Sequence, residues 1–128
     1  MLIESNGIFA DSRVLRAMIE KIGSPHVAAL WDLNHPVRYF AESPVDTWEN
    51  IGPYVRHVHI KDSVMTGAGM QYKMLGYGDL PIAEALSILK SNGFDGFVSL
   101  EWTKRWNEEL EDAGIVFSHF AYAIRKMI

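Results

Sequence analysis

Four times within 128 residues, a short strand-like segment is followed by a segment with the spacing of an amphipathic helix. The strand-like segments are apolar or alternating and end in polar residues, whereas the helical segments carry apolar side chains three and four positions apart. Strands and helices that alternate at these lengths form right-handed crossovers between parallel strands. The order therefore predicts an α/β fold with a parallel sheet, and residues 1–128 are predicted to form a single domain.

The bounds of the predicted elements follow from these patterns and from residues typical of helix ends. Strands are predicted at 1–5, 26–33, 55–62 and 97–102, and helices at 11–23, 43–52, 80–92 and 107–128. Ser43 and Asp79 are predicted to cap the second and third helices, and Gly93 is predicted to end the third. Residues 63–78, SVMTGAGMQYKMLGYG, are predicted to form a loop.

The composition excludes several classes of function. The chain has no cysteine, so disulfides, thiolate catalysis and thiolate zinc sites are ruled out. Its net charge of −4 argues against non-specific binding to nucleic acid or to a membrane surface, which needs a basic face. The sequence has no apolar run of membrane-spanning length and no signal-peptide pattern at its start, so we expect a cytoplasmic protein.

One ionisable residue lies at or near the carboxyl end of each predicted strand: Glu4, Asp32, His59 and Glu101. In parallel α/β folds these strand ends converge on the ligand site. Strand alternation supports a shared orientation, because the opposite face of all four strands is uniformly apolar. That face carries Ile3, Val27, Ala29, Trp31, Val58, Ile60, Val98, Leu100 and Trp102. The sequence therefore predicts that the four ionisable side chains point toward one place.

Three carboxylates and one imidazole repel one another unless a cation lies between them. A set of three oxygen ligands and one nitrogen suits Mn²⁺ best, with Mg²⁺ or Co²⁺ as alternatives, and is unlike a structural zinc site. Taken singly, each residue has a simpler interpretation. A glutamate that ends a strand is often solvated, Asp32 can cap the turn that follows it, and His57 nearby can be an interior hydrogen-bonded histidine. Four such coincidences in four strands favour the metal site.

Five motifs resemble the second half of the xylose isomerase-like TIM barrels, in particular the sugar phosphate isomerase/epimerase group. They are IESNG, WDLNHP, HVHIKD, LGYGDLPI and GFDGFVSLEW. The resemblance covers nearly the whole chain and implies units equivalent to strands five to eight of the barrel. It implies one divalent metal ion held by Glu4, Asp32, His59 and Glu101. It also implies that His35 contacts substrate or supports the site and that Lys61 binds substrate.

The chemistry that the resemblance implies is proton transfer beside the carbonyl of a ketose or inosose, through an enediolate. Glu4 and Glu101 would act as the catalytic acid and base. An inosose dehydratase would use the same intermediate, so a lyase remains an alternative. The endonuclease IV branch adds an Asp-x-His pair after the seventh strand, and residues 63–78 contain neither residue type. A DNA-repair activity is therefore disfavoured.

Length is the main departure from the family. Eight βα units need about 250 residues, whereas this chain supplies four units in 128 residues. We expect a half-barrel with two open edge strands, which favours association. The chain would pair with a complementary N-terminal half, associate with itself, or be a shortened form of a longer protein. A non-catalytic half-barrel that binds metal or a partner half is the alternative to an enzyme.

Overall fold

The computed structural model describes residues 1–128 and contains six strands and five α-helices. In chain order they are β1 (Leu2–Glu4), α1 (Ser12–Ile22), β2 (Ala28–Asp32), α2 (Asn34–Phe40), α3 (Pro44–Ile51), β3 (Val55–Ile60), β4 (Asp62–Thr66), β5 (Gly69–Lys73), α4 (Ile82–Ser91), β6 (Phe97–Leu100) and α5 (Ala113–Ile124). Two short 3₁₀ helices lie between these elements, at Gly7–Ala10 and Gly52–Tyr54. None of the helices combines the length and apolar character that crossing a membrane requires.

Four strands form one parallel sheet in the order β1-β2-β3-β6, so β1 and β6 are its edges. This confirms the predicted α/β class and the predicted open edges. The register aligns Glu4 with Leu30, Asp32 with His59, and His59 with Ser99. These pairings bring the carboxyl ends of all four strands to the same end of the sheet.

The hydrophobic core lies between one face of the sheet and the helices. Trp31, Val58 and Ile60 of the sheet are at most 1% exposed and pack against side chains of α1, α3 and α4. The other face has no helix over it, and Leu2 and Phe97 at its two edges are 43% and 78% exposed. Parallel sheets in complete α/β domains are covered on both faces. The open face is therefore the inner surface of half a barrel.

The prediction of a loop over residues 63–78 is wrong for residues 63–73. The chain there forms an antiparallel hairpin of β4 and β5. Thr66 stabilises the turn, because its hydroxyl accepts a hydrogen bond from the backbone N–H of Ala68 and donates one to the carbonyl of Gly69. Glycines and methionines interrupt the alternation of apolar residues here, and this interruption hid the strands.

Two helices also differ from the prediction. Helix α2 was not predicted, although Pro36 lies in its first turn, where a missing N–H is tolerated. Helix α5 begins at Ala113 rather than at residue 107. Before it, the Lys104 ammonium donates hydrogen bonds to the carbonyls of Glu108 and Leu110. This side chain satisfies carbonyls that a helix would have paired with backbone N–H groups.

Candidate metal centre

Asp32 stands at the end of β2 and is completely buried. Its Oδ1 accepts hydrogen bonds from the backbone N–H groups of Asn34, at 2.8 Å, and His35, at 3.3 Å, which begin α2. Its Oδ2 takes no part in these two bonds and lies 3.0 Å from the Lys61 ammonium, which follows β3. The capping interpretation and the ligand interpretation of Asp32 are thus compatible, since each uses a different oxygen.

The structure brings together the four side chains that the sequence singled out. One ligand atom from each of Glu4, Asp32, His59 and Glu101 lies within 4.8 Å of every other. The Nδ1 atom of His59 lies 3.4 Å from Glu4 Oε1 and 4.0 Å from Glu101 Oε2. Glu4 ends one edge strand, β1, and Glu101 follows the other edge strand, β6. Their side chains therefore meet only because the sheet is curved.

Two of these side chains present a buried polar atom that makes no hydrogen bond, Glu4 Oε1 and His59 Nδ1, which lie 3.4 Å apart. A buried polar atom without a partner costs about 1–3 kcal/mol. A bound cation would satisfy both atoms, and beside them Asp32 Oδ2 has only the Lys61 ammonium as a partner, at 3.0 Å. The donor set is three carboxylates and one imidazole, so the residues present fit a hard or borderline divalent ion.

Lys61 supplies a positive charge at the edge of the cluster. Its side chain is 3% exposed, and its ammonium donates a hydrogen bond to Glu101 and lies 3.0 Å from Asp32 Oδ2. Burial opposes the charged form of Lys61, but the two carboxylates outweigh burial and raise its pKa. Burial also works to raise the pKa of Glu101, and the contact with Lys61 outweighs it, so that pKa is lowered.

For Asp32, unlike Glu101, the effect of burial on the pKa is larger than that of Lys61. Removal from water raises the pKa of Asp32 to about 6, although Lys61 and the Asn34 N–H favour its ionised form. When ionised, three carboxylates and one ammonium leave the cluster with a net charge of −2, which a divalent cation would neutralise.

His35 lies behind the cluster and is 4% exposed. Its Nδ1 lies 3.1 Å from the carbonyl of Ser5 and 3.8 Å from Asp32 Oδ1. Burial and the nearby Lys61 charge lower the pKa of His35, which favours the neutral imidazole. The contact with Ser5 fixes the ring beside Asp32.

His57 occupies the layer of the open face below the cluster. Its Nε2 lies 2.8 Å from the hydroxyl of Ser99, and its ring meets that of His59 edge-on at 5.3 Å. Burial, together with the neighbouring His59, lowers the pKa of His57. This residue is therefore a hydrogen-bonded histidine of the inner face, as its simpler interpretation held.

Sequence reasoning missed two residues beside the cluster. Ser5 is fully buried, and its hydroxyl accepts from the backbone N–H of Asp32 and donates to the Asp32 carbonyl, which ties the ends of β1 and β2 together. Tyr72 of the hairpin places its ring 5.8 Å from the Lys61 ammonium. The IESNG motif contained Ser5 but gave no sign of its role, and Tyr72 was hidden because the hairpin was not predicted.

The family model described as "Xylose isomerase-like TIM barrel" matches residues 5–118. The chain belongs to this family. This assignment agrees with the parallel half-barrel and with the resemblance seen in the motifs.

Known proteins of this kind share both sequence and structure with the chain. Fructoselysine 3-epimerase of Escherichia coli O157:H7 is 28% identical over 107 residues, which are 83% of this chain and 37% of that enzyme. The crystal structure of a D-tagatose 3-epimerase-like protein matches with a TM-score of 0.58 and 25% identity over 91% of this chain and 43% of that one. The probable 3-DHS dehydratase AsbF of Bacillus anthracis matches in fold with a TM-score of 0.77 and 18% identity, over 97% and 48%. The chain therefore spans less than half the length of each of these proteins.

Proposed function

We propose that this chain carries the metal-binding half of a divalent-metal-dependent sugar isomerase or epimerase that acts on a ketose or inosose, free or phosphorylated. The observation that carries the proposal is the convergence of four ligand atoms within 4.8 Å, among which Glu4 Oε1 and His59 Nδ1 are buried and lack hydrogen bonds. Its similarity to fructoselysine 3-epimerase and to a D-tagatose 3-epimerase-like protein supports the substrate class.

Glu4, Asp32, His59 and Glu101 would hold the ion, with Mn²⁺ the best match to three oxygens and one nitrogen. Once bound, a divalent cation would polarise the substrate carbonyl and stabilise the negative charge of the enediolate. Asp32 is already fixed by its own hydrogen bonds to α2, so it would serve as a ligand and not as a base.

The two glutamates are the residues placed to move the proton. They come from opposite edges of the sheet and approach the cluster from different sides. In an epimerisation, one carboxylate takes a proton from carbon on one face and the other returns a proton on the opposite face. We assign the two proton transfers to Glu4 and Glu101 as a pair. Lys61 would bind a substrate hydroxyl or carbonyl oxygen, with His35 as the support of Asp32.

The open face defines the partner that the proposal requires. Edge strands β1 and β6 have free hydrogen-bonding sides, and the exposed Leu2 and Phe97 mark an apolar inner surface at both edges. Four further βα units would pair with both edges and complete the substrate pocket, as the other half of a longer protein, as a separate half or as a second copy. We propose that this half works in the cytoplasm, since it has no cysteine and needs no disulfide.

Two other functions have support of different kinds. A dehydratase would use the same enediolate and then expel a β-hydroxyl, and the fold likeness to the probable 3-DHS dehydratase agrees with this chemistry. A non-catalytic half-barrel that binds a metal ion or a partner half is favoured by the short length alone.

Exchange of substrate hydrogen with solvent separates these functions. Ketoses, their phosphates and inososes are incubated in ²H₂O with the chain and Mn²⁺, and NMR follows the C–H signals beside the carbonyl after the metal is removed. An isomerase or epimerase exchanges one such hydrogen and forms the isomer, whereas a dehydratase forms an unsaturated product. Glu101→Gln should abolish exchange, and Glu84→Gln, on the exposed side of α4, should leave it unchanged.

Thermal unfolding tests the metal site without requiring turnover. Mn²⁺ at 100 times its Kd should stabilise the folded chain by about 2.7 kcal/mol through linkage. The thermal midpoint of the wild type and of Glu84→Gln should therefore rise, and that of Glu101→Gln should rise much less. Equal shifts in all three would refute the site. A shift without exchange of any substrate, also when the chain is joined to a complementary N-terminal half that completes the pocket, would favour the non-catalytic half-barrel.

A further inference from the structure

Lys61 is the one cationic side chain whose charge lies inside the cluster. It follows directly after β3, on the same face as His59, and its ammonium contacts Asp32 and Glu101. With 3% of its side chain exposed, it has little access to water as an alternative partner. The Tyr72 ring lies 5.8 Å from the ammonium, within the range of a cation–π contact.

The atoms that Lys61 contacts are themselves candidate metal ligands. Asp32 cannot offer a substitute oxygen, because its Oδ1 is held by the backbone N–H groups of Asn34 and His35. Oδ2 is therefore the oxygen for which an ammonium and a divalent ion would compete. Glu101 presents its Oε2 both to Lys61 and, at 4.0 Å, to His59 Nδ1.

We propose that Lys61 is an internal cation that competes with the divalent ion for Asp32 Oδ2 and Glu101 Oε2. This inference rests on the metal site of the proposed function and adds a residue that sets its affinity. The ammonium pairs with the buried Asp32 carboxylate and the partly buried Glu101 carboxylate, which would otherwise have no cation. Binding of the divalent ion then requires the Lys61 ammonium to withdraw from at least one of these two oxygens. Metal affinity is held below what the four ligands alone would give, so the ion can be exchanged.

Substitution of Lys61 tests the competition. Lys61→Gln removes the charge and keeps a polar side chain, and Mn²⁺ binding is measured by calorimetry at constant pH and salt. We expect Mn²⁺ to bind about tenfold more tightly, a difference of about 1.4 kcal/mol. Lys61→Arg, which keeps the charge, should restore affinity close to that of the wild type. Lys21→Gln removes the same charge from the exposed last turn of α1 and should have no effect.

Removal of Lys61 also leaves the buried Asp32 carboxylate without its ammonium partner, which is destabilising. Circular dichroism with and without Mn²⁺ therefore accompanies the calorimetry, and we expect the thermal midpoint of Lys61→Gln to fall without Mn²⁺ and recover with it. A purely structural lysine would lower the midpoint under both conditions and would leave the affinity unchanged or weaker. That outcome overturns the inference.

The wild-type chain provides a second test that is independent of any variant. The side-chain ¹³Cε and ¹⁵Nζ resonances of Lys61 are followed by NMR while diamagnetic Mg²⁺ is added. We expect the chemical shifts of Lys61 to change with Mg²⁺ concentration along the same saturation curve as the side-chain resonances of the four metal ligands. The chemical shifts of Lys21 should not change. Saturable binding with an unchanged Lys61 resonance overturns the competition but leaves the metal site standing. Absence of binding by both Mg²⁺ and Mn²⁺ overturns both proposals.

Discussion

Substitution of Gly78 by alanine adds a single methyl group, yet we expect it to destabilise the fold strongly. Gly78 lies in the segment after the hairpin, where its backbone N–H donates to Asp62 Oδ2 at 2.9 Å. The Gly76 N–H donates to the same oxygen at 2.9 Å, and the Ser63 N–H donates to Oδ1 at 2.8 Å. Asp62 is 3% exposed and directly follows Lys61, so these contacts fix the chain at the edge of the cluster.

The expected cost follows from the position that a new methyl group would take. A Cβ at Gly78 would lie 2.0 Å from Asp62 Oδ1 and 2.4 Å from the backbone oxygen of Ser63. A backbone oxygen cannot rotate away, so Asp62 must move and lose hydrogen bonds. Each hydrogen bond to a charged group contributes about 1.5–3 kcal/mol, and overpacking adds about 1–3 kcal/mol. We therefore expect the free energy of unfolding to fall by about 3 kcal/mol or more.

Urea unfolding followed by tryptophan fluorescence measures this change, since Trp31 is buried in the core. Gly67→Ala is the matched control, because a Cβ there would meet no atom within 4 Å. That variant should unfold within about 0.5 kcal/mol of the wild type, as surface substitutions usually do. A loss below 1 kcal/mol for Gly78→Ala, or equal losses for both variants, would refute the close approach of Gly78 to Asp62.

Three further substitutions test other parts of the fold. Ser43→Ala removes the capping box that Ser43 forms with Asp46 at the start of α3, and urea unfolding should show a loss of about 1 kcal/mol; an unchanged midpoint would contradict the cap. Gly114→Ala, at a position in α5 where a Cβ meets no atom within 4 Å, should raise stability by about 0.5–1 kcal/mol, and a loss would contradict that open space. Phe97→Glu should reduce concentration-dependent association in sedimentation velocity, whereas Tyr122→Glu on α5 should not; equal effects would argue against association through the β6 edge.

The parallel sheet could be predicted because its strands carry strong local patterns. Trp31, Val58 and Ile60 are apolar residues on one face of the strands, and the structure buries all of them under helices. The edge positions of β1 and β6 followed from the count of βα units and are confirmed by the strand order.

The missed elements depend on contacts that local patterns do not encode. Helix α2 begins with N–H groups that Asp32 satisfies from the end of a strand, so its start has no ordinary cap in the preceding loop. Asp79, predicted to cap α4, instead pairs with Arg38 of α2, 41 residues earlier, and α4 begins without a side-chain cap. The Asp79–Arg38 pair is tertiary, and a single sequence read locally gives no signal for it. The Asp32 contacts span only two and three residues and agree with the predicted capping of the turn, although the helix that follows was not predicted.

The sequence likewise predicted one part of the candidate site and missed another. Strand parity predicted which side chains face the cluster, because a parallel sheet fixes that orientation. It gave no information on which oxygen of Asp32 remains available or that Lys61 would pair with two of the acids. Those details depend on α2 and on the exact end of β3, which only the assembled fold determines.

Four side chains from four strands are proposed to share one divalent cation. Crystals of the chain grown or soaked with Mn²⁺, measured at an X-ray wavelength where manganese scatters anomalously, test this directly. We expect a single anomalous peak among Glu4, Asp32, His59 and Glu101, at about 2.0–2.4 Å from one atom of each. A difference map without a peak there at saturating Mn²⁺, or with a peak that touches only one of the four, would contradict it.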